Sequence, residues 1–229
     1  MNPDSPIILA VDTNDLNAAA SLITKTQASV GVYKLGLEFY LAHGKTGIDF
    51  LRNACGDFKI FLDLKLHDIP NTVTKACASV APLRPTILTV HAAGGSEMIK
   101  GAARALPDTR IAAVTVLTSL SQEEVDALGF AASIPNLVNS LAHRSVDSGA
   151  TAIVCSPWEV STLRASLPSE ISLITPGVRP HNSGTDDQSR TMTPFEAHKA
   201  GADFLVIGRP ITAASDPGDA AASILATLV

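Results

Sequence analysis

The chain has 229 residues, 46% of them apolar and 17% charged, with a formal net charge of −5. That length fits one large domain or two small ones, and an acidic balance argues against non-specific nucleic-acid binding, which needs a basic surface. Cys55, Cys77 and Cys155 are odd in number and far apart, so neither a disulfide framework nor a zinc pattern is expected, and a reducing cytoplasm is the simplest setting.

The first apolar run, Ile7-Ile8-Leu9-Ala10-Val11, is too short for the core of a signal peptide and follows no basic segment. It reads instead as a strand over 7–12, followed by a helix over 14–28. The same alternation continues to the end. Strands are expected at 30–35, 60–64, 87–91, 111–117, 152–155, 172–175 and 204–207. Helices are expected at 38–55, 72–81, 96–105, 135–148, 158–167, 194–200 and 218–228. The strands are continuously apolar rather than alternating, as parallel strands covered on both faces are. Ser121-Gln122-Glu123-Glu124 is a capping-box pattern opening one further short helix. Gly56, Gly149 and Gly201 stop helices ahead of the next strand. Every apolar run is far below the roughly 20 residues that span a bilayer, so no membrane partner is expected. Eight β-α units without a composition shift predict an α/β fold, a (β/α)8 TIM barrel forming one domain over residues 1–229.

Barrel enzymes keep their chemistry at the carboxyl ends of the strands, and this chain carries a polar group at nearly every one. Strand 1 ends in Asp12, strand 2 in Lys34, strand 3 in Asp63 and Lys65, and strand 4 in His91. Strand 5 ends in Thr118 and Ser119, strand 7 opens into Pro176-Gly177-Val178-Arg179, and strand 8 ends in Gly208-Arg209. Successive strand side chains alternate between faces. Phe61, Asp63 and Lys65 therefore share one face, Asp12 goes with Ile8 and Ala10, and Lys34 goes with Val32. Asp68 has the other parity and lies past the strand, so it is expected to point elsewhere, toward a subunit boundary. Two aspartates around one lysine at the end of a buried strand are costly, a cost an electrostatic active site can offset. A salt bridge closing a strand end is the alternative for a bare Asp-x-Lys. A histidine at the end of strand 4 fits structural hydrogen bonding better than pocket lining. His67 suits a loop-positioning role, Cys155 suits the interior, and Trp158 suits packing.

The stretch from Leu62 to Val73, Leu-Asp-Leu-Lys-Leu-His-Asp-Ile-Pro-Asn-Thr-Val, resembles the orotidine 5′-phosphate decarboxylase family. Supporting segments are Ala10-Val11-Asp12, Tyr33-Lys34-Leu35-Gly36, Val116-Leu117-Thr118-Ser119, Pro176-Gly177-Val178-Arg179 and Ile207-Gly208-Arg209-Pro210-Ile211. The resemblance implies loss of CO2 from C6 of orotidine 5′-monophosphate to give UMP, with no cofactor and no metal. It implies Lys65 beside C6 as charge stabiliser and proton donor, and Asp63 near the departing carboxylate. It also implies that Lys34 neutralises Asp63 and Asp68 and bonds a ribose hydroxyl, with Asp12 accepting from the other. Asp68, with Ile69 and Thr72, would enter the partner subunit's site, making a homodimer with shared sites. Thr118 and Ser119 would meet the pyrimidine edge, and Gly208 and Arg209 the phosphate. The long segment 179–188 would act as a lid, with Gln188 joining phosphate to base. Two other readings remain open at this point. One is a magnesium-dependent phosphosugar decarboxylase or hexulose-phosphate synthase with Glu38 as an extra ligand, and the other a barrel that binds a phosphorylated ligand without turnover.

Overall fold

The computed structural model describes residues 2, 4–180 and 192–228. Eight parallel strands close into a barrel in chain order, with β8 returning to pair with β1. The strands are β1 (Ile7–Ala10), β2 (Val32–Gly36), β3 (Ile60–Leu66), β4 (Ile87–His91), β5 (Arg110–Val114), β6 (Ala152–Val154), β7 (Ser172–Thr175) and β8 (Phe204–Ile207). Between and after them lie α1 (Leu16–Thr26), α2 (Leu37–Cys55), α3 (Pro70–Val80), α4 (Ser96–Ala105), α5 (Gln122–Ala127) and α6 (Ile134–Asp147). The series ends with α7 (Val160–Ser166), α8 (Pro194–Lys199), α9 (Arg209–Thr212) and α10 (Pro217–Ala226).

The continuous apolar runs do form strands buried on both faces. Ile8, Val32, Phe61, Ile87, Ala112, Ala152 and Ile174 fill the barrel interior. The alternate residues, such as Leu9, Tyr33, Leu35 and Leu88, pack outward against the helices. The expected parity therefore holds: Ile8, Val32 and Phe61 face inward, and the polar residues two and four positions on continue that inward row to the rim. Several helix ends follow their local chemistry. Ser121 accepts from the Glu124 backbone while the Glu124 carboxylate accepts from the Ser121 N–H, closing the expected capping box on α5. Gly56, Gly149 and Gly201 have φ of 79°, 96° and 110°, the left-handed conformation that only glycine adopts without strain.

The differences from expectation lie mostly at strand ends. Strands 1, 5 and 6 stop earlier than their apolar runs, at Ala10, Val114 and Val154. Their apolar continuations, Val116, Leu117 and Cys155 among them, line the cavity at the mouth of the barrel instead. Thr118 and Ser119 thus lie beyond β5 rather than at its end. Helix α9 was not foreseen, because four residues are too few to show a helical period. Among the described residues, no helix is long and apolar enough to cross a membrane.

Candidate active site

A cavity of about 320 Å³ opens at the carboxyl ends of the strands. Its floor is the top of the inward row: Ala10, Phe61, Val114, Val154 and Val206. Its polar rim carries Asp12, Lys34, Asp63, Lys65, Thr118, Arg179, Gly208 and Arg209. Six separate strand ends thus converge on one apolar-floored pocket, the arrangement expected of a small-molecule site.

Along one wall the charges alternate. The Lys34 ammonium lies 2.9 Å from Asp12 Oδ1 and 3.6 Å from Asp63 Oδ2. The Lys65 ammonium lies 2.8 Å from both oxygens of Asp63. The order is Asp12, Lys34, Asp63, Lys65. Gly36 leaves room for this packing, since a Cβ there would sit 3.3 Å from Lys34 Nζ and 3.6 Å from Asp12 Oδ1. Asp63 is the buried centre of the array, with 8% of its surface exposed. Burial opposes its ionised form, but Lys34, Lys65 and the hydrogen bonds from Lys65 and Thr89 outweigh it and hold its carboxyl below the usual range. Asp63 is thereby a fixed negative charge that anchors the Lys65 ammonium at the cavity wall. One-third of the Lys65 side chain remains exposed, so its nitrogen is accessible from the cavity.

The backbone beneath Lys65 is irregular. In the β3–β4 ladder Leu62 pairs with Leu88, yet Leu66 pairs with Val90. Asp63, Leu64 and Lys65 therefore stand opposite the single residue Thr89. Lys65 takes φ of 46°, one of two non-glycine residues with positive φ among those described. A side chain in that region is held against a cost of about 1–3 kcal/mol, and such strain concentrates where a site needs an unusual side-chain direction. The Lys65 N–H, displaced from the ladder, donates to Thr89 Oγ1 at 2.8 Å, and that hydroxyl donates to Asp63 Oδ1 at 3.0 Å.

Most of the residues expected from the sequence converge here. Asp12, Lys34, Asp63, Lys65, Thr118, Arg179, Gly208 and Arg209 all line the cavity. Ser119 is exposed and does not line it. Asp68, Ile69 and Thr72 are also exposed and outside it, with the Asp68 carboxylate accepting from the Ile69 N–H at 2.6 Å. Within one chain Lys34 pairs with Asp12 and Asp63 rather than with Asp68. Gln188 lies outside the described residues. Glu38 is exposed in the first turn of α2 and does not line the cavity. Among the described residues no group of three or more His, Cys, Asp or Glu is arranged to hold a metal ion.

His91 stacks on His67 with ring centroids 5.3 Å apart and does not line the cavity. Burial, with His67 and Lys65 close by, pushes its pKa down against the pull of Asp63. Cys155 is buried as expected but faces the cavity, and burial pushes its thiol up to about 12, so it is no reactive thiolate. Trp158 departs from expectation: 57% of its surface is exposed, beside a second, mostly apolar depression between α6 and α7. Thr89 was missed. Its only signal in the sequence is a hydroxyl inside an apolar run, in step with Ile87 and His91.

A closed parallel barrel with its charged groups gathered at the carboxyl mouth defines the class of the molecule, a (β/α)8 barrel of the enzyme type. A family model described as "Orotidine 5'-phosphate decarboxylase / HUMPS family" matches residues 5–224, and the chain belongs to that family. The chain is similar to an orotidine 5′-phosphate decarboxylase of Thermobifida fusca, 49% identical over 224 residues that cover 98% of this chain and 96% of the relative. One from Sphingopyxis alaskensis is 48% identical, covering 98% of this chain and 99% of the relative. Among solved structures, an orotidine 5′-phosphate decarboxylase from Lactobacillus acidophilus superposes with a TM-score of 0.86 at 36% identity, covering 98% of this chain and 99% of that one.

Proposed function

We propose that this chain decarboxylates orotidine 5′-monophosphate to UMP, the last step of de novo UMP synthesis, with Lys65 as the acid. The observation that carries the reading is the Lys65 ammonium held 2.8 Å from both Asp63 oxygens at the wall of the cavity. The relatives named orotidine 5′-phosphate decarboxylase, at 48% and 49% identity, support this substrate.

The chemical difficulty is a carbanion at C6 with no adjacent carbonyl to take the charge. A fixed ammonium beside C6 stabilises that charge without reorganising as it develops. Lys65 then donates its proton to C6, which completes UMP and leaves a neutral amine that solvent reprotonates. Asp63 holds the Lys65 nitrogen in place, 2.8 Å from both of its oxygens. It also lies near the leaving carboxylate: two like charges about 4 Å apart repel by roughly 4 kcal/mol at an effective dielectric near 20, and the repulsion ends as CO2 departs. Lys34 and Asp12, paired at 2.9 Å, suit the ribose hydroxyls as donor and acceptor. Thr118 suits the pyrimidine edge. Arg209, at the first position of α9 beyond Gly208, suits the phosphate, which guanidinium grips bidentately.

The reading extends to assembly. Asp68, Ile69 and Thr72 form an exposed edge next to the mouth, and Ile69 leaves 66% of its surface uncovered. A homodimer would bury that edge and bring the partner's Asp68 to the array as a second acid on Lys65. The fall in absorbance of orotidine 5′-monophosphate on adding the protein tests the function. Full activity in excess EDTA is the expected result. Unchanged absorbance would refute decarboxylation, and loss of activity on chelation would favour a magnesium-dependent relative.

A further inference from the structure

We propose that Thr89 is a positioning residue of this site: its hydroxyl fixes the displaced Lys65 backbone and orients the Asp63 carboxylate, and so sets where the lysine ammonium lies. The activity readouts below rest on the decarboxylase reading; the structural readout does not.

Thr89 is fully buried in the middle of β4. A hydroxyl buried without partners is costly, and an apolar strand has no general use for one. Here both of its capacities are taken. Lys65 N–H can only donate, and an ionised Asp63 can only accept. The directions are therefore forced: the Thr89 oxygen accepts at 2.8 Å, and its single proton goes to Asp63 Oδ1 at 3.0 Å. The register slip makes these contacts necessary. Three residues of β3 face one of β4, so the Lys65 N–H has lost its place in the ladder. Buried backbone donors are nearly always paired, and the Thr89 side chain supplies the partner that the slip removed. The same bond holds Lys65 at its positive φ. Thr89 does not line the cavity, so it acts through Asp63 and Lys65 rather than on substrate.

Valine matches threonine in shape and lacks both contacts, so Thr89→Val isolates the hydroxyl. With the substitution kcat should fall about ten- to a hundredfold, the effect of losing a hydrogen bond to a charged group. KM should stay within about a factor of three, since no substrate contact is removed. The acidic limb of the pH profile should move to higher pH, because Asp63 loses a bond that favours its ionised form. The other charged and titratable neighbours of Asp63, namely Lys34 on β2, Lys65 on β3 and His91 on β4, are unchanged by the substitution. Thr89→Ser should recover most of kcat and return the limb. Thr89→Ala, which differs from serine only in the hydroxyl, should not, and this pair carries the test if the valine variant does not fold.

Wild-type kcat with an unmoved limb in Thr89→Val, or serine no better than alanine, would overturn the proposal. Were the wild-type protein inactive on orotidine 5′-monophosphate, the functional reading would fail by itself. Crystal structures would then decide the role of Thr89. Lys65 leaving the positive-φ region in Thr89→Val but not in Thr89→Ser supports it, and an unmoved Lys65 in both refutes it.

Discussion

Strand β4 has two unlike seams. Against β5 it pairs in unbroken register over five residues, from Ile87 with Arg110 to His91 with Val114. Against β3 the ladder slips, and three residues face Thr89. The regular seam is mostly side-chain packing: Leu88, Val90, Ile111 and Ala113 all face the outer helices and are almost wholly buried. The slipped seam gives up ladder hydrogen bonds and puts a lysine at positive φ. What it gains is a lysine and an aspartate two residues apart on one strand, locked together at the rim of the cavity. One seam is continuous packing, and the other gathers charge at the mouth of the barrel.

That contrast predicts separable losses. Lys65→Ala should have the largest effect, lowering kcat about 10⁴-fold or more, because the proposed mechanism uses Lys65 both as electrostatic stabiliser and as acid. UMP affinity, measured by calorimetry, should change little. Near-normal turnover would remove Lys65 from the mechanism. Ile111→Ala, on the regular seam, should do the reverse. Denaturant unfolding should show a loss of about 2–5 kcal/mol from the cavity it leaves, with kcat unchanged in the folded fraction. A matching fall in kcat would erase the distinction between the seams.

The smallest effect concerns acid. The Asp63 carboxyl is held below its ordinary range in the folded protein, so the unfolded chain takes up this proton first as pH falls. Its contribution to stability is therefore present above the unfolded carboxylate pKa, about 3.9, and is lost as pH drops through the folded value. Urea midpoints should decline as pH falls below about 4 in the wild type, and Asp63→Asn should decline less steeply. Equal slopes would show that Asp63 is not held as described.

The regular seam was readable from the sequence, and so were its counterparts around the barrel. Continuous apolar runs bounded by glycine and helix caps place eight strands, and β4, β7 and β8 fall at the expected bounds. Alternation also placed Asp12, Lys34, Asp63 and Lys65 on the inward row, because charged residues at the ends of buried strands have few places to go. The slip itself was not readable. Asp63 and Lys65 look like ordinary alternation, and no glycine marks the positive φ at Lys65. Thr89 was hidden for the same reason: a threonine suits any strand, and only the slip gives its hydroxyl two partners. Trp158 was misjudged because composition says nothing about which side of a helix start meets solvent.

The proposed mechanism requires the Lys65 ammonium to lie beside the carbon that loses CO2. A crystal structure with UMP bound tests it most directly. Lys65 Nζ within about 3.2 Å of C6, still bonded to Asp63, is the predicted result. A nitrogen beyond contact with the ring, or turned out of the cavity, would contradict it.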